Sequence, residues 1–297
     1  MFECELPFDH KTLHLELEDK NFAGVMEGHQ NEFKTTKSQE ELVEESLANP
    51  YGSPSLEELC AGKKDIVIIS SDHTRPVPSR VTMPILLHHI HVSEDMFAAA
   101  EMAHLAFVLN VVLNGKHEVI GSFAGDIHKA HEAGCEFVKS LAGVEPVECE
   151  IAITTNGGYP LDQNIYQAVK GMCAAEATLP EGGVIIDVAG CADGHGGEGF
   201  YHNIADNDPA EFERACIDRP KDETLPDQWT SQIFARILAH HPVIMVTDLC
   251  DHQMLKDMHM TPVNTIEEAL KLAFEMKGAD AKVAVIPDGL GVVVAQH

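Results

Sequence analysis

Apolar and polar positions alternate along this chain in two different rhythms. Thr12-Leu13-His14-Leu15-Glu16-Leu17 places every second residue on an apolar face, the period of a half-buried strand. Residues 65–70, 151–155, 184–189, 243–247 and 283–286 are instead short, β-branched apolar runs, the pattern of strands covered on both faces. Between the later runs the rhythm changes to three or four residues over 162–178, 228–240 and 266–277, which predicts helices. Strands alternating with helices of this size imply a parallel sheet with helices on its faces. The earlier half is less regular. Residues 38–49 read as an acidic helix ended by Pro50-Tyr51-Gly52-Ser53-Pro54, residues 81–90 and 94–103 as helices, and residues 127–141 as another. Asn114-Gly115-Lys116 separates two apolar runs, 105–113 and 117–123, and an Asn-Gly step in that setting is a strong hairpin signal. The expected architecture is α/β in two lobes. An N-terminal lobe, residues 1–103, is a smaller mixed α/β unit. A C-terminal lobe, residues 104–297, begins with the hairpin and carries a mainly parallel sheet covered by helices.

One junction departs from this grammar. After the strand at 65–70 and its helix, a parallel sheet needs a returning strand, yet His91-Val92-Ser93 leads straight into the next helical run, with Ser93 as its N-cap. The N-terminal lobe is therefore short of a strand near residues 90–92, unless the 65–70 strand pairs with the hairpin and the amino-terminal strand in a small mixed sheet.

Composition narrows the function classes. The 297 residues carry 48 acidic and 20 basic side chains, a formal charge of −28, which opposes binding to nucleic acid or an anionic membrane. A small anionic substrate needs local cations. The first ten residues have neither the basic nor the apolar region of a signal peptide, and the eight cysteines are dispersed without a C-x-x-C pair, as reduced cytoplasmic thiols are.

Three corners carry candidate chemistry. Ser71-Asp72-His73-Thr74-Arg75-Pro76-Val77-Pro78-Ser79-Arg80 follows a buried-type strand and opens a helix. Its prolines stiffen the turn, Asp72 and Thr74 are capping residue types, and Arg75 suits a phosphate. A phosphate-bearing cofactor fits this set; a stiff strand-to-helix connection with an exposed Arg is the plain alternative. Asn156-Gly157-Gly158-Tyr159-Pro160 forms a second corner, where backbone can approach a ligand. In the helix behind it Gln163, Tyr166, Gln167 and Lys170 share one face, opposite Ile165, Val169, Met172 and Cys173. That face is either solvated or a grip for a small acid. The third corner, residues 190–199, holds Asp193, His195 and Glu198 among five glycines, but with no helical metal-ligand spacing; it reads as a structured loop. A hydrolase built on it would require a metal there. Trp229, the single tryptophan, reads as a core or helix-start anchor.

Together these stretches resemble the nickel-pincer-nucleotide-dependent lactate racemases. The resemblance rests on the Leu6-Pro7-Phe8-Asp9 opening, Ser71 to Ser79, Asn156 to Met172, Asp193-Gly194-His195-Gly196-Gly197-Glu198-Gly199-Phe200-Tyr201 and Asp227-Gln228-Trp229. It implies that Asp72, His73, Thr74 and Arg75 bind the phosphate end of a nickel-pincer mononucleotide. It implies that Gln167 and Lys170 contact the substrate, with Tyr166 and Trp229 beside it. The reaction implied is racemisation of a small 2-hydroxy acid, lactate foremost, by reversible hydride transfer through a 2-keto acid, with cofactor-synthesis enzymes as partners. In the family two base histidines, a cofactor-tethering lysine and a nickel-binding histidine belong to a central segment between the Asp-His-Thr-Arg helix and the hairpin. This chain runs from Ile90 to Ser93 without that segment, so no catalytic residue is assigned, His88, His89 and His91 included, and no metal ligand. A chain that binds cofactor or substrate without catalysis is the alternative expectation.

Overall fold

The structure, a computed structural model, describes residues 1–63, 78–90, 106–116 and 118–295. The strand expected at 65–70, the Asp72-His73-Thr74-Arg75 turn, the 94–103 helix and the junction at 91–93 lie outside the described residues. The chain forms two compact units, one of Met1–Glu27 with Val144–His297 and one of Gly28–Gly143. The amino terminus opens the first unit with an antiparallel hairpin, β1 (Phe2–Phe8) and β2 (Lys11–Leu17), followed by β3 (Phe22–Val25).

The second unit is a hairpin enclosed by helices. α1 (Gln39–Ala48) and α2 (Leu56–Cys60) each start with a serine capping box, Ser38 with Glu41 and Ser55 with Glu58, so two orphan N–H groups are satisfied at each helix start. α3 (Ser79–Ile90) precedes β4 (Val108–Leu113) and β5 (Val119–Gly125), which pair antiparallel. The Asn-Gly signal is met by a longer loop than a two-residue turn. Asn114 Oδ1 accepts from the N–H groups of Lys116 and Glu118 at 2.9 and 3.0 Å. α4 (Ile127–Ala142), capped by Asp126, sets Phe137 against Phe123 of β5. Val43, Leu47, Leu56, Ile85 and Ala124 form the unit's core.

Back in the first unit, β6 (Gly143–Val144) leads to β7 (Ile151–Thr155), α5 (Ile165–Glu176), β8 (Val184–Val188), α6 (Glu198–Ala205) and α7 (Pro209–Asp218). α8 (Gln228–His240), β9 (Val243–Val246), α9 (His252–Asp257), β10 (Thr261–Val263), α10 (Ile266–Lys277), β11 (Val283–Ile286) and β12 (Val293–Val294) complete it. Six strands make one parallel sheet in the order β10-β9-β8-β7-β11-β3, and β12 pairs with β6. The central strands are buried from end to end, as their unbroken apolar sequences require. On one face Ile165, Met172, Phe200 and Phe234 from α5, α6 and α8 pack against Ala152, Ile185 and Met245. The other face is covered by α10 and by the amino-terminal hairpin, whose Leu6, Phe8, Leu15 and Leu17 meet Ile151, Ile153, Ile186 and Val188.

That last packing gives the amino-terminal strands a place the sequence leaves open. Among the described residues β1 and β2 cover the parallel sheet and β3 extends its edge. The β4–β5 hairpin is grouped with Gly28–Gly143. Four fully or nearly fully buried large side chains on one hairpin face have to be covered, and the parallel sheet supplies the apolar surface.

Candidate functional site at the carboxyl edge of the parallel sheet

Loops leaving the carboxyl ends of parallel strands are where open α/β sheets place ligands. In the first unit the loops after β7 and β8 meet there with the β1–β2 turn, and buried polar groups hold them together. Asp9 sits at that two-residue turn with φ of 47°, a left-handed conformation that costs a non-glycine residue about 1 kcal/mol. Two hydrogen bonds offset it. The Asp9 N–H donates to Asp162 Oδ2 at 2.7 Å, and the Asp9 carbonyl accepts from the Tyr159 N–H at 2.9 Å. The same Asp162 oxygen accepts from the Gly190 N–H at 2.9 Å, so one carboxylate ties three loops. Gly157 and Gly158 have φ of 78° and 81°, and a Cβ at Gly158 would stand 3.0 Å from the Asp9 carbonyl. The Leu6-Pro7-Phe8-Asp9 motif thus has a structural role: it buries Leu6 and Phe8 and delivers Asp9 to the Gly-Gly corner.

The start of α5 is fully occupied by its own chain. Asn164 caps it by accepting from the Gln167 N–H at 3.0 Å, while the Ile165 and Tyr166 N–H groups donate to the carbonyls of Gly194 and His195 at 3.0 and 3.3 Å. The second corner therefore offers a ligand side chains rather than helix-end amides, because the 190–195 loop folds over the helix start. This also gives the glycine-rich third corner its role as a structured loop. Among the described residues no group of three or more His, Cys, Asp or Glu is placed to hold a metal ion.

The polar face of α5 is not a solvated one. Gln167 is buried and Tyr166 and Lys170 are half-buried, whereas Gln163, expected on the same face, precedes the Asn164 cap and is buried outside the helix. Lys170 Nζ donates to Gln167 Oε1, which turns the Gln167 amide nitrogen outward from that contact as a donor. An ammonium and an amide N–H set side by side can take the two oxygens of a carboxylate. Tyr166 stands edge-on to Phe200 and to Trp229, with ring centroids 5.3 and 6.4 Å apart. Trp229 is neither a core residue nor a buried anchor. It is 59% exposed in the first turn of α8, where Asp227 takes a left-handed φ of 59°. The structure thus groups Tyr166, Gln167, Lys170 and Trp229; Asp72, His73, Thr74 and Arg75 lie outside the described residues.

Four further residues shape this edge, and only one of them is evident from the sequence. Asn164 carries the ordinary N-cap signal, an Asn just ahead of an apolar-periodic run. Asn156 and Asp162 carry none, since their partners are backbone groups brought up by the fold. Asp187, on the β8 face turned towards α5 and α8, is fully buried with both oxygens unpartnered. Burial, reinforced by the nearby Asp162, pushes its carboxyl well above the usual range.

Comparison with known proteins gives the family. Residues 144–294 match the lactate racemase C-terminal domain and residues 8–104 the lactate racemase N-terminal domain. A lactate racemase of Lactiplantibacillus plantarum is 40% identical in an alignment over 423 residues that covers 99% of this chain and 100% of that protein. A lactate racemase of Thermoanaerobacterium thermosaccharolyticum is 36% identical over 425 residues, covering 100% of both. A solved structure of the lactate racemase apoprotein from Thermoanaerobacterium thermosaccharolyticum matches with a TM-score of 0.88 at 35% identity, covering 99% of this chain and 100% of that one. With a shared fold and relatives aligned from end to end, the chain belongs to the lactate racemase family of isomerases.

Proposed function

We propose that this protein racemises a small 2-hydroxy acid, lactate foremost, and that Gln167 and Lys170 hold the substrate carboxylate while Tyr166 and Trp229 flank it. The observation that carries this reading is the contact between Lys170 and Gln167 on a buried polar face. In a chain of net charge −28 a carboxylate is repelled at long range, so its binding needs a cation at contact distance. At ~4 Å and an effective dielectric near ~20, a single ammonium supplies ~4 kcal/mol before desolvation is subtracted. Inverting a 2-hydroxy acid requires the α-hydrogen to leave and return on opposite faces while the rest of the molecule stays in place. A carboxylate fixed at two points provides that anchor.

The family resemblance supplies the cofactor, a nickel-pincer mononucleotide, which when bound accepts the α-hydrogen as hydride. Asp72, His73, Thr74 and Arg75 would hold its phosphate end, Arg75 through the bidentate geometry of a guanidinium. Enzymes that make the cofactor are then required partners. Dispersed cysteines, all eight free, support a cytoplasmic setting, and no helix among the described residues is long and apolar enough to cross a membrane.

Binding without turnover is a second reading, with its own supporting observation. The Lactiplantibacillus plantarum alignment runs over 423 residues and this chain has 297, so at least 126 aligned positions face no residue here. The absence fits the junction at Ile90 to Ser93, where the family's base histidines and tethering lysine have no counterpart. The two readings separate in one experiment. The protein is co-expressed with cofactor-making enzymes, its nickel is quantified, and D- and L-lactate are followed by chiral chromatography. Nickel with interconversion supports the racemase. Calorimetric lactate binding with neither nickel nor interconversion supports the second reading, and a chain that neither binds nor converts lactate sinks both.

A further inference from the structure

The loop after β7 sends one side chain into the body of α5 at the turn that carries Gln167 and Lys170. Asn156 is fully buried. Its Nδ2 donates to the Leu161 carbonyl at 2.8 Å and also to the Gln167 carbonyl, and its Oδ1 accepts from the Gly171 N–H at 2.9 Å. In a regular helix the Gly171 N–H and the Gln167 carbonyl are each other's partners, four residues apart. The amide of Asn156 therefore meets both members of one helical pair. That pair brackets the three residues between Gln167 and Gly171, with Lys170 as the last of them. Residue 171 also has to be glycine, because a Cβ there would collide with Asn156 Oδ1 and stand 3.0 Å from the Thr155 carbonyl. Thr154 Oγ1 adds a bond to the Gly171 carbonyl at 3.1 Å. The end of β7 thus grips α5 by side chains at one turn.

We infer that Asn156 is the positioning residue of the carboxylate grip: by bonding the Gln167 carbonyl and the Gly171 N–H, it fixes the helical turn from which Gln167 and Lys170 reach the substrate. The inference rests on the reading of Gln167 and Lys170 as that grip. An amide is suited to the task because it keeps a donor and an acceptor side by side at any pH, which is what an N–H and a C=O facing it require. A hydroxyl at this position is too short to bond both, and an ionised carboxylate presents acceptors alone.

Lactate affinity is measured by titration calorimetry on the full chain as wild type, Asn156→Ala and Asn156→Asp, each well below its own thermal midpoint. Asn156→Ala is expected to weaken lactate binding about tenfold or more, the scale that goes with losing a buried hydrogen-bonded pair. Wild-type affinity in a folded Asn156→Ala overturns the inference. Should the alanine variant fail to fold, Asn156→Asp decides through its pH profile. A carboxylic acid copies the amide's donor and acceptor only while protonated, and burial raises its titration above about 3.9. The affinity of Asn156→Asp relative to wild type is therefore expected to fall as pH rises through that titration. The neighbouring ionisable groups, Asp162, Lys170 and Asp288, are present in both proteins and leave the ratio to report on position 156. A ratio flat with pH, with only the thermal midpoint lowered, is the outcome of a merely structural residue and overturns the inference. Absence of lactate binding in the wild type removes the proposed grip itself, whereas wild-type binding that Asn156→Ala leaves untouched removes only the role of Asn156.

Discussion

A buried carboxylate is costly unless its oxygens find donors, and Asp162 and Asp187 meet that demand to different degrees. Asp162 places one oxygen between the N–H groups of Asp9 and Gly190 and leaves the other unpartnered. Asp187 has no partner for either oxygen and is repelled by Asp162, so it is held neutral far above its ordinary value of 3.8. The folded protein then keeps a proton on Asp187 that the unfolded chain releases. Native Asp187 binds the extra proton above about pH 4, so it makes stability fall as pH rises, by about 1.4 kcal/mol per unit, until its own folded titration is reached. Asn cannot ionise in either state. The Asp187→Asn variant is therefore expected to match the wild type most closely near about pH 4 and to exceed it in urea midpoint by a growing margin towards neutrality. Parallel pH profiles for the two proteins between about pH 4 and about pH 8 would contradict a neutral buried Asp187.

At the scale of elements, the amino-terminal hairpin is the piece whose role the sequence hides. Its alternating rhythm predicts a strand with one buried face, and β2 has that face, but alternation says nothing about what covers it. Leu15 is fully buried against the parallel sheet, and Leu15→Ala leaves a hole there. A loss of ~2–5 kcal/mol in chemical denaturation is expected, where a hairpin merely lying on the surface would lose under about 1. The central parallel strands β7, β8, β9 and β11 are legible as short unbroken apolar runs, and the helices α5, α8 and α10 as longer segments with one clear period. Shorter helices are less so: α7 announces itself only through Asp208 as cap and Pro209 at its first position, and α6 begins behind glycines with no side-chain cap. The site divides in the same way. The spacing of Gln167 and Lys170 puts them on one helical face by arithmetic. That this face is buried depends on neighbours the pattern cannot name, the 190–195 loop among them. The partners of Asn156 and Asp162 lie on the backbone of other segments, so no side-chain pattern in the sequence marks them.

At the scale of the whole molecule, the charge of −28 acts on both the fold and the substrate. Self-repulsion among 48 acidic and 20 basic groups opposes the compact state, and added salt relieves it. The screening length shortens from about 30 Å at 0.01 M to about 8 Å at 0.15 M, so most of the relief comes within that range. Lactate feels two opposed effects. The repulsion comes from many charges at distances of tens of ångströms, where salt screens strongly. The attraction to Lys170 acts at contact and half-buried, where salt screens little. Screening therefore removes more repulsion than attraction. Lactate affinity is expected to hold or rise as sodium chloride goes from about 0.01 M to about 0.15 M, with the thermal midpoint rising in parallel. A site made from a basic surface patch behaves in the opposite way, losing affinity steadily with salt. Calorimetric titrations at the two ionic strengths distinguish them, and a fall of about threefold or more would mean that the carboxylate is held by exposed charges rather than by the buried turn of α5.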